Sequence, residues 1–263
     1  MKKVQPYQPN QPASELNGIR VLVVLPAFNE EANLARLLNR IEDHMTEEKL
    51  NFRIVVVDDG SSDRTPSILE NYSSRLPLSV QTHKNNQGLG PALRDGFLAA
   101  VDLATTNDII VTMDADETHA PKLILEMANR IAQGSDVIIA SRYVAGARVY
   151  GVSWHRRFIS WLGSRVVGAL FPTAGVSDYT CGYRAYRAQV LKQAFDKYGD
   201  AFVDQQGFQC MLDVLLKLRT MPLVFGEVPI TLRYDLKGGQ SKMRLIKTSV
   251  STMQLILKRR LGK

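Results

Sequence analysis

Two aspartates, Asp114 and Asp116, follow a largely apolar run at residues 109–113 of this 263-residue chain. Such a run is typical of a buried strand, and a turn just beyond it would bring the two carboxylates toward one point. They would repel each other strongly there unless a cation lay between them. Mg²⁺ and Mn²⁺ prefer hard oxygen ligands and usually bind substrate phosphates as well. The pattern therefore predicts a divalent metal bound to a diphosphate, with a solvated acidic turn as the alternative.

The elements that must position this pair alternate between strand and helix over the first 140 residues. Apolar, β-branched runs predict strands, and apolar residues at helical spacing predict helices between them. The predicted strands cover residues 19–25, 52–57, 78–82, 108–113 and 136–140, and the predicted helices cover 30–43, a segment with Ile68 and Leu69, 88–104 and 121–133. This alternation indicates an α/β fold with a parallel sheet covered by helices on both faces.

Three polar clusters fall at the carboxyl ends of the predicted strands. They are residues 26–30 (Pro-Ala-Phe-Asn-Glu), the pair Asp58 and Asp59, and the pair Asp114 and Asp116. Parallel α/β sheets bind ligands at the carboxyl ends of their strands, so the clusters are expected to converge on one edge. This convergence favours a metal site over a solvated turn at Asp114 and Asp116.

Cationic and glycine-rich segments offer partners for the remaining diphosphate charge. Arg142 directly follows the fifth predicted strand, and a bidentate guanidinium matches phosphate oxygens well. Arg233 and the loop at residues 238–242 add donors, and Ser241 and Lys242 of that loop could hold an anion. An ordinary glycine-rich turn is the alternative for the loop. The chain has neither Walker spacing nor GxGxxG, which argues against the nucleotide-binding classes that those motifs define.

His119, three residues after Asp116, admits two interpretations. It could ligate the metal or assist proton transfer. It could equally pack beside Pro121 and cap the next helix. The structural interpretation is favoured.

The second half of the chain is less regular. Helices are predicted at residues 158–170, 188–198 and 207–218, a strand with an edge-type proline at 223–233, and a terminal helix at 243–261. The predicted domains are a mobile leader at residues 1–18, a catalytic domain at 19–242 and a basic amphipathic helix at 243–263.

The formal net charge of +7 is concentrated in two segments. From residue 237 to the end there are eight Lys or Arg and no acid, and residues 137–177 hold five arginines, both tryptophans and no acid. Local charge of one sign favours an anionic partner, and basic amphipathic segments can lie in the headgroup layer of a membrane. The alternative is that the aromatic segment packs against the sheet and the basic end is simply solvated.

Two further observations bear on location. The longest uncharged stretch, residues 166–177, has 12 residues, which is too short to span a bilayer. The two cysteines have neither metal nor disulfide spacing, which favours a reducing compartment. The expected location is the cytoplasm, with peripheral membrane contact.

Six motifs stand in order along the chain, at residues 23–30 (VVLPAFNE), 55–63 (VVVDDGSSD), 86–92 (NQGLGPA), 113–116 (MDAD), 140–143 (ASRY) and 238–242 (GGQSK). Together they resemble family 2 glycosyltransferases of the GT-A fold, in the dolichyl- or polyprenyl-phosphate mannose synthase branch, over about residues 19–245. The resemblance implies a mixed, mostly parallel sheet. It also implies inverting transfer of mannose or a similar hexose from a nucleotide-diphosphate sugar to a polyprenyl or dolichyl monophosphate.

The resemblance implies roles for individual residues. Nucleotide contacts would come from Pro26, Phe28, Glu30, Asp58, Asp59, Asp114 and Ala115. Mg²⁺ or Mn²⁺ would be held by Asp114 and Asp116, and donor phosphates by Arg142, Arg233, Ser241 and Lys242. Arg142 would alternatively contact the acceptor phosphate. The residues implied in catalysis are Asp116, Arg142 and Asp178.

The acceptor decides whether a general base is needed. A lipid phosphate is already an anionic nucleophile, and it needs positioning and charge neutralisation more than a base. A hydroxyl acceptor would need a carboxylate base, for which Asp178 and Asp204 are the candidates. Asp178 could instead steady the metal site or the arginine cluster.

The chain departs from the branch in two places. Residues 117–121 are Glu-Thr-His-Ala-Pro, where relatives typically have Leu-Gln-His-Pro-Pro, so Thr118 replaces a glutamine that often helps the metal. Leu236 stands where many relatives have an arginine, for which Arg233 is a substitute.

Two other functions compete with the lipid-linked one. The first keeps the same chemistry with a soluble hydroxyl acceptor, and the second is a non-catalytic nucleotide-sugar-binding protein at the membrane surface. A nucleic-acid binder is disfavoured, because the acidic sheet edge interrupts the continuous basic track that a phosphate backbone needs.

Overall fold

The computed structural model describes residues 16–236, residue 238 and residues 245–260, so most of the predicted leader and both Ser241 and Lys242 lie outside the described residues. The strands are β1 (Arg20–Ala27), β2 (Asn51–Asp58), β3 (Leu78–Thr82), β4 (Ile109–Thr112), β5 (Val137–Ser141), β6 (Arg148–Tyr150), β7 (Arg184–Arg187), β8 (Phe225–Pro229) and β9 (Thr231–Arg233). The α-helices are α1 (Leu34–Glu47), α2 (Thr65–Ser73), α3 (Leu89–Leu103), α4 (Leu123–Ala132), α5 (Trp154–Leu170), α6 (Ala188–Tyr198), α7 (Cys210–Leu218) and α8 (Leu245–Arg260).

Seven strands form one sheet in the order β3-β2-β1-β4-β7-β5-β8. β1 pairs in parallel with β2 and β4, and β2 with β3. Crossovers between parallel strands are right-handed, so α1 and α2 cover one face and α3, which reverses direction across β1, covers the other. The strand order therefore switches between β1 and β4, which is where open α/β sheets form a ligand crevice.

The central strands are buried on both faces, which explains their continuous apolar sequence. Residues 21–25 of β1 have no exposed surface. Helix α1 packs Leu34, Leu37, Leu38 and Ile41 into the same core. Their spacing at i, i+3, i+4 and i+7 is that of one helical face, as the sequence predicts.

β7 corrects the expectation of a purely parallel sheet, because it runs antiparallel to β4 and β5. The mixed sheet implied by the resemblance is thereby confirmed. No strand was predicted at 184–187 because two arginines occupy the four positions. The structure buries Arg184 completely and directs its guanidinium to the carbonyl oxygens of Met211 and Tyr179, at 2.7 and 2.9 Å.

The single strand predicted at 223–233 is also wrong, since the chain leaves the main sheet after Pro229. β8 forms the last strand of the seven-stranded sheet, and β9 pairs instead with β6 in a two-stranded sheet. Pro229 lies on the edge strand, where its missing N–H leaves no gap in the sheet. The edge position predicted for this proline is confirmed.

Candidate active site

The carboxyl ends of β1, β2 and β4 meet at one edge of the sheet. Ala27 of β1 lies in register with Asp58 of β2. The backbone N–H of Asp59 donates to the carbonyl oxygen of Ala27 at 2.8 Å, and that of Met113 donates to Val24 at 3.2 Å. The structure therefore brings the three predicted polar clusters together at the point where the strand order switches.

Asp58 and Asp59 are both buried, but their carboxylates are used differently. Asp59 lies within 2.7–2.9 Å of four groups of the following loop, namely His83 Nδ1, Asn86 Nδ2 and the backbone N–H groups of Gln87 and Gly88. Asp58 Oδ1 accepts the backbone N–H of Ser61 at 3.0 Å. Its Oδ2 is buried with no hydrogen-bond partner among the described residues. Asp59 thus organises the loop, and Asp58 retains an acceptor that fits a ligand N–H.

Glu30 lies at the start of the segment that links β1 to α1, and it is buried. Its Oε2 accepts Asn33 Nδ2 at 2.8 Å. Asn33 also exchanges two hydrogen bonds with the backbone of Gly238, at 2.9 and 3.2 Å. The first residue of the predicted anion-binding loop therefore lies beside the β1 cluster. Pro26 and Phe28 are half-buried at the same edge.

Asp114, Ala115 and Asp116 form the turn that follows β4. The Asp114 side chain is 45 % exposed, whereas Ala115 and Asp116 are buried. Asp116 Oδ1 accepts the backbone N–H and the hydroxyl of Thr118, at 3.1 and 2.7 Å. The hydroxyl of Thr118 is thus directed at the carboxylate of Asp116.

The donor set of this turn fits Mg²⁺ or Mn²⁺. Within the described ranges, no group of three or more His, Cys, Asp or Glu side chains is placed to hold a metal ion. An ion bound by Asp114 and Asp116 would therefore draw its other ligands from a diphosphate and water. That division is the usual one for Mg²⁺ in nucleotide sites.

His119 has a structural position beside this turn. Its Nδ1 accepts the backbone N–H of Asp114 at 3.0 Å, so the ring is neutral and its proton lies on Nε2. Neither nitrogen then offers a lone pair to a metal. The ring stacks on Tyr183, with centroids 4.8 Å apart, and the Tyr183 hydroxyl donates to the carbonyl oxygen of Ala120 at 2.9 Å. The position of His119 is thus a structural one, as the sequence favours, but the predicted cap is wrong, because no side chain among the described residues caps the N-terminus of α4.

Glu117 is the residue that most clearly departs from the resemblance. Its φ of 63° lies in the left-handed region, and its carboxylate is buried between Arg36 and Arg40 of α1. On the opposite side of the turn, the backbone N–H of Arg233 donates to the carbonyl oxygen of Thr118 at 3.0 Å. The turn is therefore held by both α1 and β9.

Arg142 and Asp178 form a buried bidentate ion pair. Arg142 Nε and Nη2 donate to the two oxygens of Asp178, each at 2.7 Å. Asp178 also accepts three backbone N–H groups, those of Arg142, Thr180 and Cys181, at 3.0–3.2 Å. Arg142 Nη1 donates to Ser160 of α5 at 3.1 Å. The pair thus joins β5, the segment before β7 and α5.

The charges of this pair are fixed by their surroundings. Burial alone would raise the pKa of Asp178, but the charge and hydrogen bonds of Arg142 outweigh it and lower that pKa. Burial would likewise lower the pKa of Arg142, yet Asp178 raises it. Asp178 is therefore an ionised carboxylate with little basicity, and most Arg142 donors face the protein rather than solvent.

Arg233 and Asp204 are the other predicted residues within the described part. The exposed Arg233 pairs with Asp235 at 2.7 Å, and its backbone bond to Thr118 places it beside the turn that follows β4. Asp204 pairs with Lys217 at 3.1 Å. Burial would raise the pKa of Asp204, but hydrogen bonds with Gln205, Asp213 and Lys217 outweigh it, and the pKa is lowered.

The sequence did not single out His83, which contacts both Asp59 and Asp95. The signal lay in strand register. Asp58 pairs with Thr82 across β2 and β3, so the next residue on each strand, Asp59 and His83, must be neighbours. Aligning the ends of two predicted parallel strands would have revealed the contact.

The mixed sheet, its switch point and the Asp-Ala-Asp turn define the GT-A class of nucleotide-sugar transferases. Solved structures agree in fold. Glucosyl-3-phosphoglycerate synthase from Mycobacterium tuberculosis, in complex with Mn²⁺, UDP and glucosyl-3-phosphoglycerate, superposes with a TM-score of 0.66 at 18 % identity, covering 98 % of this chain and 87 % of that one. A second complex of that enzyme, with Mn²⁺, UDP-glucose and phosphoglyceric acid, gives 0.67 at 17 % identity, covering 97 % and 86 %.

Residues 22–195 match the family described as Glycosyl transferase family 2. The dolichol-phosphate mannosyltransferase of Pyrococcus furiosus is 34 % identical over 86 % of this chain, which spans 60 % of that protein. The polyprenol monophosphomannose synthase of Mycolicibacterium smegmatis is 32 % identical over 88 % of this chain and 84 % of its own length. The undecaprenyl-phosphate mannosyltransferase of Micrococcus luteus is 32 % identical over 86 % and 88 %. The chain belongs to glycosyl transferase family 2 and is a glycosyltransferase, and the resemblance drawn from its motifs is confirmed.

Proposed function

We propose that this enzyme transfers mannose or a similar hexose, with inversion, from a nucleotide-diphosphate sugar to a polyprenyl or dolichyl monophosphate at the surface of a membrane. The names of its relatives support the polyprenyl-phosphate acceptor. The observation that carries the proposal within this chain is the meeting of the Glu30, Asp58 and Asp114–Asp116 clusters at the switch point of the sheet.

The donor would lie along this edge. Asp58 Oδ2, which is buried without a partner in the described part of the chain, would accept an N–H of the nucleobase. Asp114 and Asp116 would hold Mg²⁺ or Mn²⁺, which when bound supplies positive charge to the leaving diphosphate. Arg233, together with Ser241 and Lys242 of the loop that Gly238 begins, would contact the phosphates.

The acceptor proposal follows from the state of the candidate bases. Asp178 and Asp204 are both engaged as ion-pair partners with lowered pKa values, so neither is suited to deprotonate a hydroxyl at neutral pH. A phosphate oxygen needs no such base. It would attack the anomeric carbon as the bond from that carbon to the diphosphate oxygen breaks, which inverts the configuration and releases the nucleoside diphosphate.

Asp116, Arg142 and Asp178 would divide the catalytic work. Asp116 would fix the diphosphate through the metal. The pair of Arg142 and Asp178 would position α5 and the segment before β7, rather than exchange a proton with the acceptor. Positioning of this kind accounts for a large share of catalysis when both reactants are bound together.

Helix α5 is the proposed membrane contact. Its outer surface exposes large apolar side chains, namely Trp154, Phe158, Ile159, Trp161, Leu162 and Val166. Arg156, Arg157 and Arg165 on the same helix would attract anionic headgroups. Ser160 of α5 bonds Arg142, so a helix seated in the interface would present the lipid phosphate close to the site.

Helix α8 is proposed as a second contact. It exposes Val250, Met253 and Leu257 at helical spacing, and Lys258 and Arg260 are exposed at its end. Arg259 faces the protein instead, where it pairs with Asp213 at 2.7 Å. Among the described helices, none is long and apolar enough to cross a bilayer. We propose that both helices contact the cytoplasmic surface of a membrane peripherally.

The test is a transfer assay with radiolabelled GDP-mannose and UDP-glucose, Mn²⁺ or Mg²⁺, and a polyprenyl phosphate in detergent or vesicles. Label is expected in the organic phase, and the product should release free sugar on mild acid treatment. Asp116→Asn should abolish the label, whereas Asp102→Asn, an exposed acid at the end of α3, should not.

The alternatives give different outcomes in the same assay. Label that appears only on a water-soluble acceptor would establish the hydroxyl-acceptor function instead. Nucleotide binding without transfer to any acceptor, with donor and metal both present, would support a binding protein.

A further inference from the structure

His83 lies between two carboxylates at the carboxyl end of β3. Its Nδ1 is 2.7 Å from Asp59 Oδ1, and its Nε2 is 2.9 Å from Asp95 Oδ2. The His83 side chain is only 8 % exposed, so both ring nitrogens are largely shielded from solvent. Its own backbone N–H donates to the carbonyl oxygen of Asp58 at 2.8 Å, which fixes the ring beside the nucleotide edge.

Both carboxylates act as acceptors, so both ring nitrogens must donate. Asp59 already accepts two backbone N–H groups and the amide of Asn86. Asp95, on α3, also accepts Arg94 Nε at 3.0 Å. A neutral imidazole carries one N–H, and only the imidazolium carries two. The geometry therefore requires a protonated ring.

The electrostatic surroundings agree with this geometry. Burial alone would lower the pKa of His83, but the hydrogen bonds and charges of Asp59 and Asp95 outweigh it and raise that pKa above its ordinary value. Arg94 faces Asp95 from the same helix.

The loop that Asp59 holds lies close to neighbouring backbone at Gly60 and Gly90. A Cβ on Gly60, whose φ is +73°, would lie 2.5 Å from the backbone of Asn85. A Cβ on Gly90 would lie 1.6 Å from the carbonyl oxygen of Gln205, and the Gly90 N–H donates to Gln206 at 3.0 Å. The loop thus connects the Asp58–Asp59 turn to the segment before α7.

We propose that the His83 imidazolium is a positioning group that fixes the loop at residues 86–88, just before α3, and makes nucleotide binding depend on pH. Loss of its proton leaves a ring lone pair facing a carboxylate. One charge-assisted hydrogen bond is then replaced by repulsion. Asp59 loses its contact with His83, and the loop beside the proposed nucleotide site becomes less rigid. Binding is strongest below the His83 titration and weakens above it. The identity of the ligand as a nucleotide rests on the function proposed above, but the state of the ring does not.

The first experiment follows the ring and the loop without any ligand. In ¹⁵N-labelled full-length protein, both His83 nitrogens should be protonated at pH 7, and they should titrate above the ordinary value of about 6.5. The amides of Gln87 and Gly88 should exchange faster above this titration than in His83→Arg at the same pH, because arginine donates at every pH. A neutral His83 ring at pH 7 would overturn the proposal.

The second experiment measures the Kd of GDP and UDP with Mn²⁺ between pH 6 and 9. The ratio of the wild-type Kd to that of His83→Arg should rise about tenfold across the titration, the size expected for one lost charge-assisted hydrogen bond. Asp95→Asn, which removes one of the two facing charges, should move the midpoint of the wild-type profile to lower pH.

The outcomes separate this inference from the proposed function. Nucleotide binding with a Kd ratio that does not change with pH would overturn the inference alone. Failure of both nucleotides to bind at any pH would overturn the nucleotide role of His83 and the proposed function together. The ring titration would still show whether the protonated His83 bridges Asp59 and Asp95.

Discussion

The ion pair between Arg142 and Asp178 provides the sharpest test of how the site is held together. Asp178 has no exposed surface, and five N–H groups converge on its two oxygens. In Asp178→Asn one oxygen becomes an NH₂ group, so at least one of these donors faces another donor. The Arg142 charge also loses its counterion. Removing one partner of a buried pair typically costs about 3–5 kcal/mol, a large part of the total stability of a domain.

The free energy of unfolding from urea titrations, monitored by tryptophan fluorescence and by circular dichroism, measures this cost. In the double variant Arg142→Gln with Asp178→Asn, two neutral side chains face each other and no unpaired charge remains, so it should be more stable than Asp178→Asn alone. At low pH the difference in the free energy of unfolding between the wild type and Asp178→Asn should shrink. The folded pKa of Asp178 is lowered, so its contribution is full above the unfolded pKa of about 3.9 and is lost as pH falls through the folded pKa. A loss below about 1 kcal/mol in Asp178→Asn would refute the view that this pair organises the site.

Three further predictions concern the proposed metal site, the proposed membrane contact of α5 and His83. Asp116→Asn should leave the fold intact but reduce Mn²⁺ affinity in the presence of GDP by at least about tenfold, which isothermal titration against Asp102→Asn would measure. Trp154→Ser with Ile159→Ser should change stability by less than about 0.5 kcal/mol, since both side chains are largely exposed. The same double variant should lose flotation with phosphatidylglycerol vesicles, and undiminished flotation would count against the α5 contact. The folded pKa of His83 is raised, so its stabilising contribution should be complete below about pH 6.5 and should fall as pH rises through the folded pKa. An equal dependence of the free energy of unfolding on pH in His83→Arg would contradict this.

The sequence was most informative where one residue type decides local structure. Doubly buried parallel strands must be apolar throughout, so β1, β2 and β4 were found within a few residues, and their polar ends marked the site. β7 was missed because its charge is satisfied by carbonyl groups of distant segments, as at Arg184. No local sequence pattern predicts a hydrogen-bond partner that lies in a distant segment.

The same limit explains which site assignments needed the structure. The resemblance implies a nucleotide contact for Asp59, but its partners His83 and Gly88 come from the next strand end and loop. It implies a phosphate contact for Arg142, but the geometry of that guanidinium depends on Asp178, which is 36 positions away. The residue types were visible in the sequence, whereas the direction of each hydrogen bond depends on pairings between remote segments.

The segment Glu117–Thr118–His119 shows how a turn can keep its geometry after its sequence has changed. A left-handed φ is unfavourable for glutamate by about 1 kcal/mol or more, and burial of its carboxylate adds to that cost. Arg36 and Arg40 offset both through their ion pairs. His119 holds the backbone of Asp114 from within the turn, and β9 holds Thr118 from the far side. The positions of Asp114 and Asp116 are thus fixed by three neighbours, so this turn does not require glutamine at position 118 in order to present its two carboxylates.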